Sequence, residues 1–121
     1  MRKAIALFVA ACVLGGIVSV ESAGAATQQQ SATTAITVKA GEFFFKLSKA
    51  SIAKPATVVF TVKNVGHLAH DFKVDGKQTA LIQPGKTAKL KVVFKKAGHF
   101  RYLCTVPGHA AQGMQGKFTV H

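Results

Sequence analysis

Cys104, His109 and Met114 place a thiol, an imidazole and a thioether within eleven residues, in the stretch Tyr102-Leu103-Cys104-Thr105-Val106-Pro107-Gly108-His109-Ala110-Ala111-Gln112-Gly113-Met114. A second stretch, Asn64-Val65-Gly66-His67-Leu68-Ala69-His70-Asp71-Phe72, adds two more imidazoles. Thiolate and thioether are soft donors suited to Cu(I), and imidazole suits both Cu(I) and Cu(II). Two His and one Cys with a weak axial Met form the donor set of electron-transfer copper sites. A set that both oxidation states accept rearranges little when an electron moves. Zinc takes Cys and His but does not favour a thioether as fourth ligand. A Cys–His nucleophile would need an acid or amide to orient it, and would leave Met114 idle.

His67 and His70 compete for the second imidazole position. They lie three residues apart, so on a strand they point to opposite faces and only one can reach a shared metal. His70 is preferred because Asp71-Phe72 continues into a strand; His67 then belongs to the loop. Met114 is preferred as the weak ligand by its spacing from His109, with Gln112 and Gln115 as oxygen-donor alternatives. His99 and His121 read as surface residues.

The elements that must position these donors are short. Ile36–Lys39, Phe43–Leu47, Thr57–Lys63, Ala69–Val74, Thr87–Phe94, Gly98–Leu103 and Gly116–Val120 are rich in β-branched and aromatic residues and are separated by turn signals. Val58, Phe60 and Val62 alternate with Thr57, Val59, Thr61 and Lys63; Ala88, Leu90, Val92 and Phe94 alternate with Lys89, Lys91 and Val93. Asp75-Gly76 and Pro84-Gly85 mark turns. No stretch of ten residues holds a helical period. The pattern predicts an all-β fold, an antiparallel β-sandwich with Greek-key connections. One strand delivers Cys104, the Pro107-Gly108 turn presents His109, and a loop containing Gly113 returns Met114. Phe43, Phe44, Phe45, Phe60, Phe94, Phe100 and Phe118 are expected to pack the core.

The N-terminus reads as an export signal. Arg2 and Lys3 precede an apolar run from Ala4 to Val20, and small residues follow at Ala23-Gly24-Ala25-Ala26. Residues 1–26 are therefore expected to be a cleaved signal peptide. An uncleaved membrane anchor is the alternative, and a lipoprotein at Cys12 is disfavoured because Cys12 sits inside the apolar run. Residues 27–34 read as a polar leader and 35–121 as one domain. Removing 26 residues from 121 leaves about 95, at the small end of what builds a self-sufficient core.

Cleavage would also leave Cys104 as the one cysteine of an exported chain. A lone thiol in an oxidising compartment needs a use or a shield, and coordination by a metal supplies both. The remaining part carries 14 basic against 3 acidic residues, a net charge of +11. Lys39, Lys46, Lys63, Lys73, Lys89 and Lys91 are spread singly along strands. That excludes the clustered basic and aromatic pattern of a nucleic-acid binder and fits a solvated sheet face drawn to acidic partners.

At the quoted residues the chain resembles the cupredoxins, the small blue copper proteins, over roughly Ile36 to Val120. Cys-Thr-x-Pro-Gly-His and Asn-x-Gly-x-x-x-His-Asp-Phe carry the resemblance. Four residues separate Cys104 from His109 and four separate His109 from Met114, a spacing similar to that of rusticyanin and auracyanin. Azurin-like loops are one residue shorter before Met, and plastocyanin-like loops have a shorter Cys-to-His step. The resemblance implies a single copper held by His70, Cys104, His109 and Met114, with Asp71 bonded to Thr105 to tie the two ligand segments together. Asp71 stands where Asn is common in the family. The implied function is one-electron transfer in a periplasmic or extracytoplasmic chain, by a monomer and not an enzyme, serving a cytochrome or oxidase with an acidic surface. A copper chaperone or storage protein is the alternative.

Overall fold

The computed structural model describes residues 33–121. The expected signal peptide and most of the polar leader lie outside them. Nine strands follow in order: β1 (Thr33–Gly41), β2 (Phe44–Leu47), β3 (Ser51–Ile52), β4 (Thr57–Asn64), β5 (Lys73–Val74), β6 (Lys77–Gln78), β7 (Thr87–Val93), β8 (Gly98–Leu103) and β9 (Gln115–Val120). β1 starts at Thr33, so the last two residues of the expected leader pair with Thr57 and Val58 of β4.

The chain forms a two-layer sandwich. One sheet has the order β2-β1-β4-β7 and the other β3-β9-β8-β5-β6. The sandwich agrees with the sequence pattern, but the pairing is mixed rather than wholly antiparallel. β1 runs parallel to β4, and β3 runs parallel to β9. The reason is the crossing at β3: the chain leaves the first sheet after β2, adds β3 to the second, and returns as β4. Such a crossover permits parallel neighbours.

The alternation in β4 sets the core. Val58, Phe60 and Val62 are fully buried, and Lys63 on the other face is exposed. Phe60 from the first sheet meets Phe72, Phe94 and Phe118 at ring separations of 5.1, 6.4 and 5.4 Å. Burying each such ring stabilises the fold by about 1.5–3 kcal/mol. Phe44 departs from expectation: it is 42 % exposed.

The expected strand over Ala69–Val74 survives only as β5. Ahead of it His70 makes a single antiparallel bridge to Ile82, with N–H to O distances of 3.1 and 2.7 Å in the two directions. Phe72 bonds Thr79 instead, giving its N–H to Thr79 Oγ1 and taking the Thr79 N–H on its carbonyl. Local side-chain bonding here replaces a regular ladder. Asp75 and Gly76 follow β5 at φ 50° and 72°, the primed two-residue turn that joins β5 to β6. No helix among the described residues is long and apolar enough to cross a membrane.

Candidate metal centre

β8 ends one residue before Cys104, and β9 begins one residue after Met114. The Cys104 N–H donates to the Met114 carbonyl at 3.0 Å, prolonging the β8–β9 ladder beyond its last pair, Leu103 with Gln115. Between these two residues the chain makes a compact loop. The His109 N–H returns to the Val106 carbonyl at 3.1 Å, across the Pro107-Gly108 turn. A single 3₁₀ turn, Ala110–Gln112, follows. Its end brings the Met114 N–H to the His109 carbonyl at 3.2 Å. Gly113 adopts φ 127°, and a Cβ there would meet the Phe43 carbonyl oxygen at 2.8 Å. Both facts require glycine just before Met114.

The second ligand segment is set by Asn64, which is fully buried. Its Nδ2 donates to the carbonyls of Leu68 at 2.7 Å and Ile82 at 2.8 Å, and its Oδ1 accepts from the Gly66 N–H at 2.9 Å. One amide thus shapes the 64–68 turn and fastens it beside the His70–Ile82 bridge. Both amide hydrogens and the amide oxygen find partners, as a buried polar group requires.

The structure brings His70, Cys104 and His109 together. One donor atom from each lies within 4.8 Å of the others. The Nδ1 atoms of His70 and His109 face each other at 3.0 Å, and Cys104 Sγ lies 3.7 Å from His109 Nδ1. His70 is fully buried, Cys104 is 1 % exposed and His109 8 %. Met114 is also fully buried, in the same core cluster as Cys104. His67 is exposed, as are His99 and His121. Gln112 is exposed, and Gln115 is committed elsewhere, to the Ala110 carbonyl and the Arg101 guanidinium. Two imidazoles converging through Nδ1 on a thiol, with no carboxylate in the set, suit a soft, redox-active metal such as copper.

Asp71 and Thr105 meet as the resemblance implies. Asp71 Oδ1 accepts the Thr105 N–H at 2.6 Å, and Oδ2 accepts the Thr105 hydroxyl. Gln78 Nε2 joins them, 2.8 Å from Asp71 Oδ2 and 3.0 Å from Thr105 Oγ1. Burial pushes the Asp71 carboxyl up, but the hydrogen bonds from Thr105 and Gln78 outweigh it and hold the group below its ordinary value. Burial pushes the Cys104 thiol up, although the Asp71 and Val106 amides partly favour the thiolate. A metal ligated there must displace that proton.

Two contributors carried no signal in the sequence. Gln78 lies in a two-residue strand that the pattern does not reveal. Glu42 follows β1, and its Oε1 accepts the N–H groups of Leu68 at 2.6 Å and His67 at 2.7 Å. It also lies 3.2 Å from His70 Nε2. The bond from the Leu68 N–H foremost holds the Glu42 carboxyl down at about 2; desolvation pushes it the other way, and the His67 N–H adds to the lowering.

Comparison with known proteins agrees with this geometry. A family model described as copper binding proteins of the plastocyanin/azurin family matches residues 18–121. The copper-resistant cuproprotein CopI of Pseudomonas aeruginosa is 25 % identical, over 80 % of this chain and 81 % of CopI. Auracyanin A, a blue copper protein of Chloroflexus aurantiacus, is similar in structure with a TM-score of 0.63 at 20 % identity, covering 74 % of this chain and all of that one. Rusticyanin of Thiobacillus ferrooxidans gives a TM-score of 0.62 at 25 % identity, covering 74 % of this chain and 77 % of rusticyanin.

Proposed function

Because the chain belongs to the plastocyanin/azurin family of copper-binding proteins and its metal is copper, we propose that it is a one-electron carrier outside the cytoplasm, acting as a monomer and not as an enzyme. Copper when bound supplies the chemistry, one electron exchanged between Cu(II) and Cu(I). His70, Cys104, His109 and Met114 are the residues that would hold it. The observation that carries the reading is the burial of this set: His70 and Met114 are fully enclosed, Cys104 is 1 % exposed, and His109 alone reaches the surface region, at 8 %. Such a site shields a bound metal from solvent and leaves His109 as the ligand nearest the surface, the natural route for an electron.

Exposed and half-buried apolar groups adjoin the ligands in the chain and suit brief docking. Pro107 and Ala111 are exposed, Val106 and Ala110 half-buried, and Leu68 is 47 % exposed. Leu81, next to the His70–Ile82 bridge, is 54 % exposed. The charge favours an acidic partner, a cytochrome or oxidase subunit. Lys46, Lys39 and Lys63 stand side by side across β2, β1 and β4, and among the described residues no lysine pairs with a carboxylate. Unneutralised lysines in one row raise the association rate with an anionic surface at low salt.

A copper-resistance role is the second reading, favoured by the likeness to CopI. Protein-film voltammetry and chelator challenge separate the two. A carrier gives a reversible one-electron wave, retains copper in both oxidation states and reduces an acidic cytochrome at a rate that falls with salt. A protein that sequesters or delivers copper gives no productive transfer and releases the metal on a change of oxidation state.

A further inference from the structure

We infer that Glu42 is the positioning residue that sets the tautomer and the donor strength of His70 at the copper centre. The inference rests on the copper reading above and concerns a residue outside the ligand set and the Asp71–Thr105 tie.

A carboxylate only accepts hydrogen bonds, so the His70 ring nitrogen 3.2 Å from Glu42 Oε1 carries the hydrogen, and that nitrogen is Nε2. The neutral ring then has its lone pair on Nδ1, the atom 3.0 Å from His109 Nδ1. Glu42 thereby aims a lone pair, rather than an N–H, at the point where the donors converge. The other tautomer would present a hydrogen to the metal and a lone pair to a carboxylate, and both contacts would be repulsive.

The carboxylate is itself fixed from below. The N–H groups of His67 and Leu68 donate to the same Oε1 at 2.7 and 2.6 Å, and these residues belong to the turn that leads into His70. Gly66 leaves the room: a Cβ there would overlap both carboxylate oxygens of Glu42. The side chain that orients His70 is therefore bonded to the His70 loop, so ligand and orienter move as one body. Among the described residues no lysine or arginine pairs with Glu42, so its negative charge acts on the imidazole undiluted by a cation. A carboxylate hydrogen-bonded to a metal-binding imidazole raises its basicity, and such partners change metal affinity by about 10- to 100-fold when removed. A more basic imidazole favours Cu(II) over Cu(I), which lowers the reduction potential.

Glu42→Gln separates charge from shape, because the amide oxygen can still accept the two loop N–H groups. The test compares wild type, Glu42→Gln and Glu42→Ala in two ways. Nitrogen-15 chemical shifts of His70 are read in the metal-free protein. Cu(II) affinity, by chelator competition, and reduction potential are read after loading. The inference expects the Nε2–H tautomer in wild type and its loss of dominance in Glu42→Ala. It also expects Cu(II) affinity lowered about 10-fold or more and a raised potential in Glu42→Gln, with the fold retained. A wild-type His70 protonated at Nδ1, or a Glu42→Gln variant with unchanged affinity and potential, would overturn it. If the wild type took up no copper, the copper reading would fail, and the tautomer measured without metal would still decide whether Glu42 orients His70.

Discussion

Removing the carboxylate of Asp71 should weaken both the fold and the metal site, by an amount the structure bounds. Asp71→Ala deletes three bonds: from the Thr105 N–H at 2.6 Å, from Gln78 Nε2 at 2.8 Å and from the Thr105 hydroxyl. Hydrogen bonds to a charged group are worth about 1.5–3 kcal/mol each. Thr105 and Gln78 are exposed, so water recovers much of what they lose, and we expect a net loss of about 2–4 kcal/mol rather than the full sum. Asp71→Asn keeps one oxygen for the Thr105 N–H, and the Thr105 hydroxyl can turn to accept from the new amide. Only the Gln78 bond must rearrange, so the expected loss is about 1 kcal/mol. Urea unfolding of the metal-free protein measures both. With a slope of about 1–2 kcal/mol/M, the alanine variant's midpoint falls by about 1–4 M and the asparagine variant's by about 0.5–1 M. Copper release to a chelator should accelerate in the same order, because Asp71 joins the segment of His70 to that of Cys104. Two variants that unfold together, within about 0.5 kcal/mol of wild type, would refute the claim that this contact ties the ligand segments.

Met114→Leu conserves volume in a fully buried place and should change stability by less than about 1.5 kcal/mol. It should shift the charge-transfer spectrum and raise the potential, since the thioether is lost; voltammetry and visible absorption check this. Asn64→Ala removes three hydrogen bonds, leaves the Ile82 carbonyl with the His70 N–H alone, opens a small cavity and frees the 64–68 turn. It should destabilise the protein by about 2–4 kcal/mol in calorimetry, with faster copper loss. Tyr102 is the chain's one tyrosine, and burial raises its phenol above the ordinary value. The fold favours the neutral phenol, so this stabilisation is complete below pH 10 and is lost as pH rises through the folded value. An ultraviolet titration of the tyrosine should show the shift in the native protein and not in urea.

The ligand loop was legible in the sequence because its chemistry is local. Cys104, His109 and Met114 sit on one short excursion between two strands, and the glycines and proline that bend it can be read in place. The alternation of Val58, Phe60 and Val62 revealed a buried face for the same reason. What escaped depends on contacts across the fold. Glu42 reaches His70 only because β1 and β4 lie side by side in parallel, a pairing that strand patterns do not specify. Gln78 acts from a two-residue strand too short to show a period. The strand expected over Ala69–Val74 gave way where His70 and Asp71 turn to other partners, a demand of the site that hydrophobic alternation does not record. Its aromatic character alone puts Phe44 in the core, yet it falls on the outward side of its strand.

The central claim is that His70, Cys104, His109 and Met114 hold one copper in a thiolate-bonded, redox-active site. Visible absorption and EPR of the copper-loaded, oxidised domain, beside a Cys104→Ala variant, test it most directly. The account predicts an intense blue thiolate-to-copper band and a narrow copper hyperfine splitting in the wild type, both abolished in the variant. A colourless wild-type protein, or a spectrum indifferent to Cys104, would contradict it.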